Sequence, residues 1–199
     1  MILRKPFIFI RHGETEGNVR NLCQGKIDYP LTNKGKEQAQ QAALKLTPYL
    51  PIKKLYSSDL GRAAETAKII SQAIKCADIH FMSGLQERGW GILEGQANKE
   101  MFIQEERECD PNYEGNPTIE GLEILFVIRN RIIETINSIL LQADNSIPVL
   151  ISHGRLFFVL CGLLSVEPIK QVGNGSVVIC TPNADCVKDE DGTWSLLPL

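Results

Sequence analysis

The stretch Pro6-Phe7-Ile8-Phe9-Ile10-Arg11-His12-Gly13 decides the fold, because Pro148-Val149-Leu150-Ile151-Ser152-His153-Gly154 repeats its pattern much later in the chain. Each is an apolar run that stops abruptly at a His-Gly pair. Such continuous runs suit strands buried on both faces, as in a parallel sheet. Between them the pattern turns helical. Thr32 is placed to cap a helix over 33–47, with Ala39, Ala42, Ala43, Leu46 and Leu50 on one face and Pro48 and Pro51 at its stop. A strand at 52–57 precedes a helix at 62–73, which Ser58 or Asp59 can cap and whose core face is Ala63, Thr66, Ala67 and Ile70. A third strand covers 79–82.

The stretch 84–121 is rich in Gly, Glu, Asn and Pro and reads as a long excursion with a helix near 97–107. Leu122, Leu125, Phe126, Ile132, Ile133, Ile136, Ile139 and Leu140 then recur with a period near 3.6, predicting a helix over 121–141. Asp144-Asn145-Ser146 is turn chemistry. A nearly all-apolar helix at 156–164 and closing strands at 177–181 and 194–197, around an Asp189-Glu190-Asp191-Gly192 turn, complete the pattern. The alternation predicts α/β, as one domain over 1–199 without repeats or linkers.

Composition narrows the function. Hydrophobic residues are 43% and charged residues 23% of the 199, which is ordinary globular usage and excludes a disordered chain. The net charge of −3 argues against nucleic acid and against a polybasic membrane surface as partners. No apolar run has the roughly 18 residues that a bilayer crossing needs, and the short apolar start lacks a signal peptide's cleavage region. Cys23, Cys76, Cys109, Cys161, Cys180 and Cys186 form no CxxC pair, so zinc is not expected. They read as reduced, packed thiols of a cytoplasmic protein, with Cys180 and Cys186 the one pair that could meet across a hairpin.

Only three histidines are present: His12, His80 and His153. Two of them follow apolar strands, and in open α/β sheets ligands bind where neighbouring strands end. His12 and His153 are therefore expected in one pocket, with His80 a spectator on its strand.

These residues resemble a known family. Arg11-His12-Gly13-Glu14-Thr15 with Asn18 is similar to the signature of the histidine phosphatase superfamily, in its phosphoglycerate mutase-like branch. So are Leu31-Thr32 with Gly35, Gln38 and Ala39; Ser57-Ser58-Asp59-Leu60 with Arg62-Ala63 and Glu65-Thr66-Ala67; Leu85 and Glu87 with Trp90-Gly91 and Glu94-Gly95; and Ser152-His153-Gly154. The resemblance implies a three-layer α/β/α sandwich around a mostly parallel sheet. It also implies a phosphatase that acts on small phosphorylated metabolites without a metal or other cofactor.

In that implied mechanism His12 attacks phosphorus, since neutral imidazole is a good nucleophile near pH 7. Arg11, Arg62 and His153, with Asn18 as a neutral donor, meet the charge on the phosphoryl oxygens. The planar fork of Arg suits paired phosphate oxygens. One carboxyl must protonate the leaving group and then deprotonate water. By residue type Glu14, Glu87 and Glu94 all qualify, and the resemblance selects Glu87. Asn18, Gln24, Gly25 and Gly154 match positions that border the substrate, with turn formation the competing role for Gln24. Trp90 packs under its loop or walls the pocket. The stretch 172–176 (Val-Gly-Asn-Gly-Ser) precedes a strand and lacks Lys, so it is no phosphate loop on its own.

There are departures from the family pattern. The mutases carry a longer insert with paired arginines, whereas this excursion offers Arg107 among Glu105, Glu106 and Glu108. Residues 96–99 resemble a mutase-like GxNK segment, which keeps phosphoryl transfer as the alternative to hydrolysis. A non-catalytic phospholigand-binding module is the alternative from another class. Ile119-Glu120-Gly121 stands where the family has GES, and Arg155 where a smaller residue is usual; both bear on substrate choice.

Overall fold

A computed structural model describes residues 1–76, 78–108, 119–143, 146–166, 172–183 and 194–199. A six-stranded sheet runs through the centre in the order β3-β2-β4-β1-β5-β6. These strands are β1 (Phe7–Arg11), β2 (Lys54–Ser57), β3 (Asp78–Phe81), β4 (Val149–Ser152), β5 (Val177–Pro182) and β6 (Trp194–Pro198). The first four positions in that order are mutually parallel; β5 runs antiparallel to β1, and β6 to β5.

Alternation along the strands splits the core in two. Phe7 and Phe9 of β1 face Ile128, Ile132 and Ile136 of α5 (Leu125–Gln142) and Leu156 and Phe157 of α6 (Gly154–Leu163). Ile8 and Ile10 face the opposite layer: Ala42 and Ala43 of α2 (Asn33–Lys45) and Ala63, Ala67 and Ile70 of α3 (Gly61–Ile74). The result is the expected α/β/α sandwich on a mixed sheet. Among the described residues no helix is long and apolar enough to cross a membrane.

Several sequence expectations shift. Thr32 does cap α2, its hydroxyl accepting the Gly35 N–H at 3.0 Å. Neither Ser58 nor Asp59 caps α3, whose N-cap Leu60 makes no side-chain cap bond. The first two amides of α3 instead donate to the carboxylate of Asp28, Gly61 N–H at 2.6 Å and Arg62 N–H at 3.3 Å. α5 starts at Leu125 rather than 121, because Gly121 has φ +74° and Leu122 bridges to Trp90. The buried face of α5 runs through Ile128, Ile132 and Ile136. Phe126, about 200° round the helix from Ile128, is 71% exposed, and Leu50 is also exposed. A short helix α1 (Glu16–Val19), closed by a Thr15–Asn18 capping box, was not foreseen; α4 (Lys99–Glu108) was. Cys23, Cys76, Cys161 and Cys180 are buried thiols outside any disulfide. Cys109, Cys186, Asp144-Asn145 and the 189–192 turn lie outside the described residues.

Candidate active site

The parallel pairing of β1 with β4 aligns Arg11 with Ser152, and the His12 N–H donates to the Ser152 carbonyl at 2.9 Å. The next residue on each strand is a histidine, so the two rings arrive side by side with centroids 5.1 Å apart. Both are buried, His12 at 3% and His153 at 0% exposure. Burial above all, then the nearby Arg62, holds both imidazoles well below the ordinary histidine pKa, so both are neutral at pH 7. His12 Nδ1 lies 2.7 Å from the Gly13 carbonyl oxygen. That oxygen only accepts, so Nδ1 carries the proton and Nε2 keeps its lone pair. His153 Nε2 lies 2.8 Å from the Ser58 hydroxyl. Ser58 thus supports a histidine rather than a helix.

Two guanidinium groups flank the rings. Arg62, 2% exposed, donates to the Ile27 carbonyl at 2.9 Å, the Gly25 carbonyl at 2.6 Å and Asp28 Oδ1 at 3.1 Å. Arg11 donates to the Val172 carbonyl, and burial pulls its pKa down to about 10, which still leaves it charged at neutral pH. Arg11 Nε, Arg62 Nε and His153 Nδ1 are buried without a hydrogen-bond partner among the described residues. Buried nitrogens of this kind are rare, and Arg11 and Arg62 line one pocket with His12, which suits an oxyanion that accepts from several donors.

Glu87, 8% exposed, reaches the same pocket from the excursion. Its Oε1 accepts the Arg88 N–H at 2.9 Å and the Leu156 N–H at 2.8 Å, and its Oε2 accepts the Arg155 N–H at 3.0 Å. The carboxyl group therefore sits on the first turn of α6, where it accepts from amides that the helix leaves without a backbone partner. The rivals point elsewhere. Glu14 pairs with Lys34 at 2.8 Å and accepts from the Thr32 hydroxyl, bracing the start of α2. Glu94 accepts the Trp90 N–H at 2.9 Å and closes the Trp-Gly turn.

The pocket has a volume of about 720 Å³, and Arg11, His12, Asn18, Gln24, Gly25, Arg62, Glu87 and Gly154 all line it. His153 is not among the lining residues; its ring lies against that of His12, centroids 5.1 Å apart. Asn18 Oδ1 is engaged by Thr15 and by Asn174 Nδ2 at 3.1 Å, which leaves the Asn18 amide nitrogen for the pocket. Gln24 Oε1 accepts from the Thr15 hydroxyl at 2.9 Å, so this residue both orders the turn and borders the cavity. Gly25 has φ +52° and turns its carbonyl onto Arg62. A Cβ on Gly154 would lie 3.2 Å from Arg11 Nε, so the helix start needs a small residue there.

The two roles weighed as alternatives for Trp90 coexist. It is buried with Cys23, Leu93, Met101 and Leu122, and it forms part of the pocket wall. His80 stays away from the site, stacked on Tyr56 with Nε2 3.0 Å from the Asp78 carboxylate. Arg155 lines the pocket while paired with Glu105 at 2.9 Å. Two participants were missed. Asp28 had no local signal. Asn174 binds the carbonyls of His12 and Gly13, at 3.2 and 3.4 Å, and its Gly-Asn-Gly setting was the available clue.

The family model of the histidine phosphatase superfamily (branch 1) matches residues 7–188. The chain belongs to that superfamily. Among curated members, "Probable phosphoglycerate mutase GpmB" of Proteus mirabilis is 40% identical over 147 residues, 73% of this chain and 67% of that protein. A mycobacterial glucosyl-3-phosphoglycerate phosphatase solved with VO3 superposes with a TM-score of 0.78 at 24% identity, covering 96% of this chain and 97% of that one. A phosphoglycerate mutase from Bacillus anthracis superposes with a TM-score of 0.72 at 25% identity, covering 98% and 93%. The histidine phosphatase fold thus accounts for nearly the whole chain, and its members include both phosphatases and mutases.

Proposed function

We propose that this histidine phosphatase hydrolyses small phosphomonoesters without a metal, through a phosphohistidine on His12. The observation that carries this reading is the His12 Nδ1–H to Gly13 bond at 2.7 Å, which leaves an unprotonated Nε2 beside Arg11 and Arg62. Nε2 attacks phosphorus as the ester P–O bond breaks, and Glu87 delivers a proton to the leaving oxygen. Water then attacks phosphorus as the P–N bond breaks, Glu87 takes the water's proton, and phosphate departs from neutral His12. Arg11, Arg62, His153 and the Asn18 amide stabilise the phosphoryl oxygens in both steps.

The substrate class follows from the shape and charge of the pocket. A cavity of about 720 Å³ exceeds a lone phosphate and suits an ester of a small metabolite. Its outer half, with Asn21, Asn98, Phe102 and Arg155, offers polar and aromatic contacts to the organic group. A non-catalytic binder would need neither nucleophile nor proton donor, so His12 and Glu87 in one pocket support the catalytic reading. Phosphoglycerate mutase activity is the second reading, favoured by the name of the 40% identical relative.

The test is turnover of p-nitrophenyl phosphate and of metabolite phosphates in excess EDTA, with trapping of labelled phosphoenzyme. The expected result is EDTA-insensitive release of phosphate and an alkali-stable adduct, both absent in His12→Ala. Turnover abolished by EDTA, or an active His12→Ala, sinks the mechanism. Label moving onto a phosphoglycerate acceptor instead of into free phosphate favours the mutase reading.

A further inference from the structure

Glu87 follows a 3-10 turn (Ser83–Leu85) on the stretch 83–89, which the sheet holds at one point, the Ser152 hydroxyl of β4 donating to the Leu85 carbonyl at 2.7 Å. Its backbone is gripped from α5. Arg131 Nη1 donates to the carbonyls of Gly84 at 2.9 Å and Gln86 at 2.8 Å, and Nη2 reaches the Glu87 carbonyl at 3.4 Å. The other edge of the same guanidinium meets Glu123 bidentately, Nε to Oε1 and Nη2 to Oε2, both at 2.8 Å. Glu123 in turn accepts the Gly89 N–H at 3.0 Å through its carboxylate, and its main chain exchanges with Gly89 and Arg88. Arg131 and Glu123 thus bind both ends of the loop that carries Glu87, and neither lines the substrate pocket.

We propose that Arg131 and Glu123 act as positioning residues for proton transfer by Glu87. This rests on the reading of Glu87 as the proton donor. The Glu87 carboxylate is tied to the amides at the start of α6, while its backbone is tied to α5 through Arg131. Both attachments are needed to hold the carboxyl within the roughly 2.6–3.2 Å that proton transfer requires. A lysine at 131 keeps the charge but lacks the fork that spans three carbonyls and a carboxylate. Displacement of about 1 Å at such a group costs on the order of 10²-fold in rate.

The experiment compares Arg131→Lys, Glu123→Gln and Glu87→Gln with the parent on two substrates. An alkyl phosphate has a poor leaving group that needs a proton; p-nitrophenyl phosphate has a good one that does not. The ratio of kcat on the two substrates comes from one sample, so partial unfolding cancels from it. Arg131→Lys and Glu123→Gln are expected to lower that ratio about tenfold or more, in the same direction as Glu87→Gln, with KM little changed. Equal losses on both substrates, or no loss, in the two clamp variants while Glu87→Gln is selective overturns the proposal and leaves the Glu87 reading standing. A non-selective Glu87→Gln overturns both.

Discussion

Asp28 holds Arg62 at two points: its carboxylate accepts the Arg62 main-chain N–H at 3.3 Å and meets the same residue's guanidinium at 3.1 Å. With Gly61 N–H at 2.6 Å on the other oxygen, one side chain both starts α3 and aims its arginine. The fold and the candidate site are joined at this residue.

Asp28→Ala is therefore expected to lose both contributions. Removing a helix cap costs about 1 kcal/mol of stability, measurable by urea unfolding. Arg62 keeps its bonds to the carbonyls of Gly25 and Ile27, so kcat/KM for a phosphomonoester should fall by about tenfold, short of the 10²–10³ typical of a lost oxyanion donor. A variant with unchanged stability and rate would mean that Asp28 organises neither.

Acid should weaken the fold through the two site histidines. Unfolded histidines take up protons near pH 6.5, whereas burial keeps His12 and His153 neutral to well below that value. The unfolded chain then binds more protons, so the stability these groups contribute is complete above about pH 6.5 and is lost as pH falls toward their folded values. The slope is about 1.4 kcal/mol per pH unit for each group. Urea midpoints between pH 7.5 and 5 should fall, and should fall less steeply in His12→Gln. A flat profile for the parent contradicts this account. For the same reason the acid limb of kcat/KM should not reflect a histidine of ordinary pKa.

Gly13 marks where the loop after β1 touches α2. A Cβ there would lie 2.2 Å from the Gly35 carbonyl oxygen, a main-chain atom that cannot swing aside. Gly13→Ala must shift the His12 loop, at about 1–3 kcal/mol by analogy with overpacked cores. The expected phenotype is a lowered melting temperature together with a large loss of kcat. Near-parent kcat would show that the loop has room the geometry denies.

The α/β alternation was legible because it follows from local patterns, whereas the three-layer arrangement came from the family resemblance. Apolar runs marked β1 and β4, and the alanines of α2 and α3 marked a close-packed helical face. Helix starts were read less well. Thr32 lies next to the helix it caps and was found, whereas α3 is capped by Asp28, more than thirty residues away. The start of α5 was misjudged because a left-handed Gly121 and a bridge between Trp90 and Leu122 override an unbroken hydrophobic period.

The sequence by itself determined which strands end in histidine, how few histidines there are, and that the residue types suit phosphoryl chemistry. That information is local: an apolar run, then Arg-His-Gly or Ser-His-Gly. Only the tertiary structure set apart the surroundings of the three carboxylates. It puts Glu87 on the amides of Arg155 and Leu156, turns Glu14 toward Lys34, and closes Glu94 onto Trp90. It likewise gave Ser58 to His153 and Arg131 to the loop of Glu87. Apart from Glu94 with Trp90, four residues away, these partnerships join distant parts of the chain, and which acceptor a buried donor finds depends on packing that no short window of sequence contains.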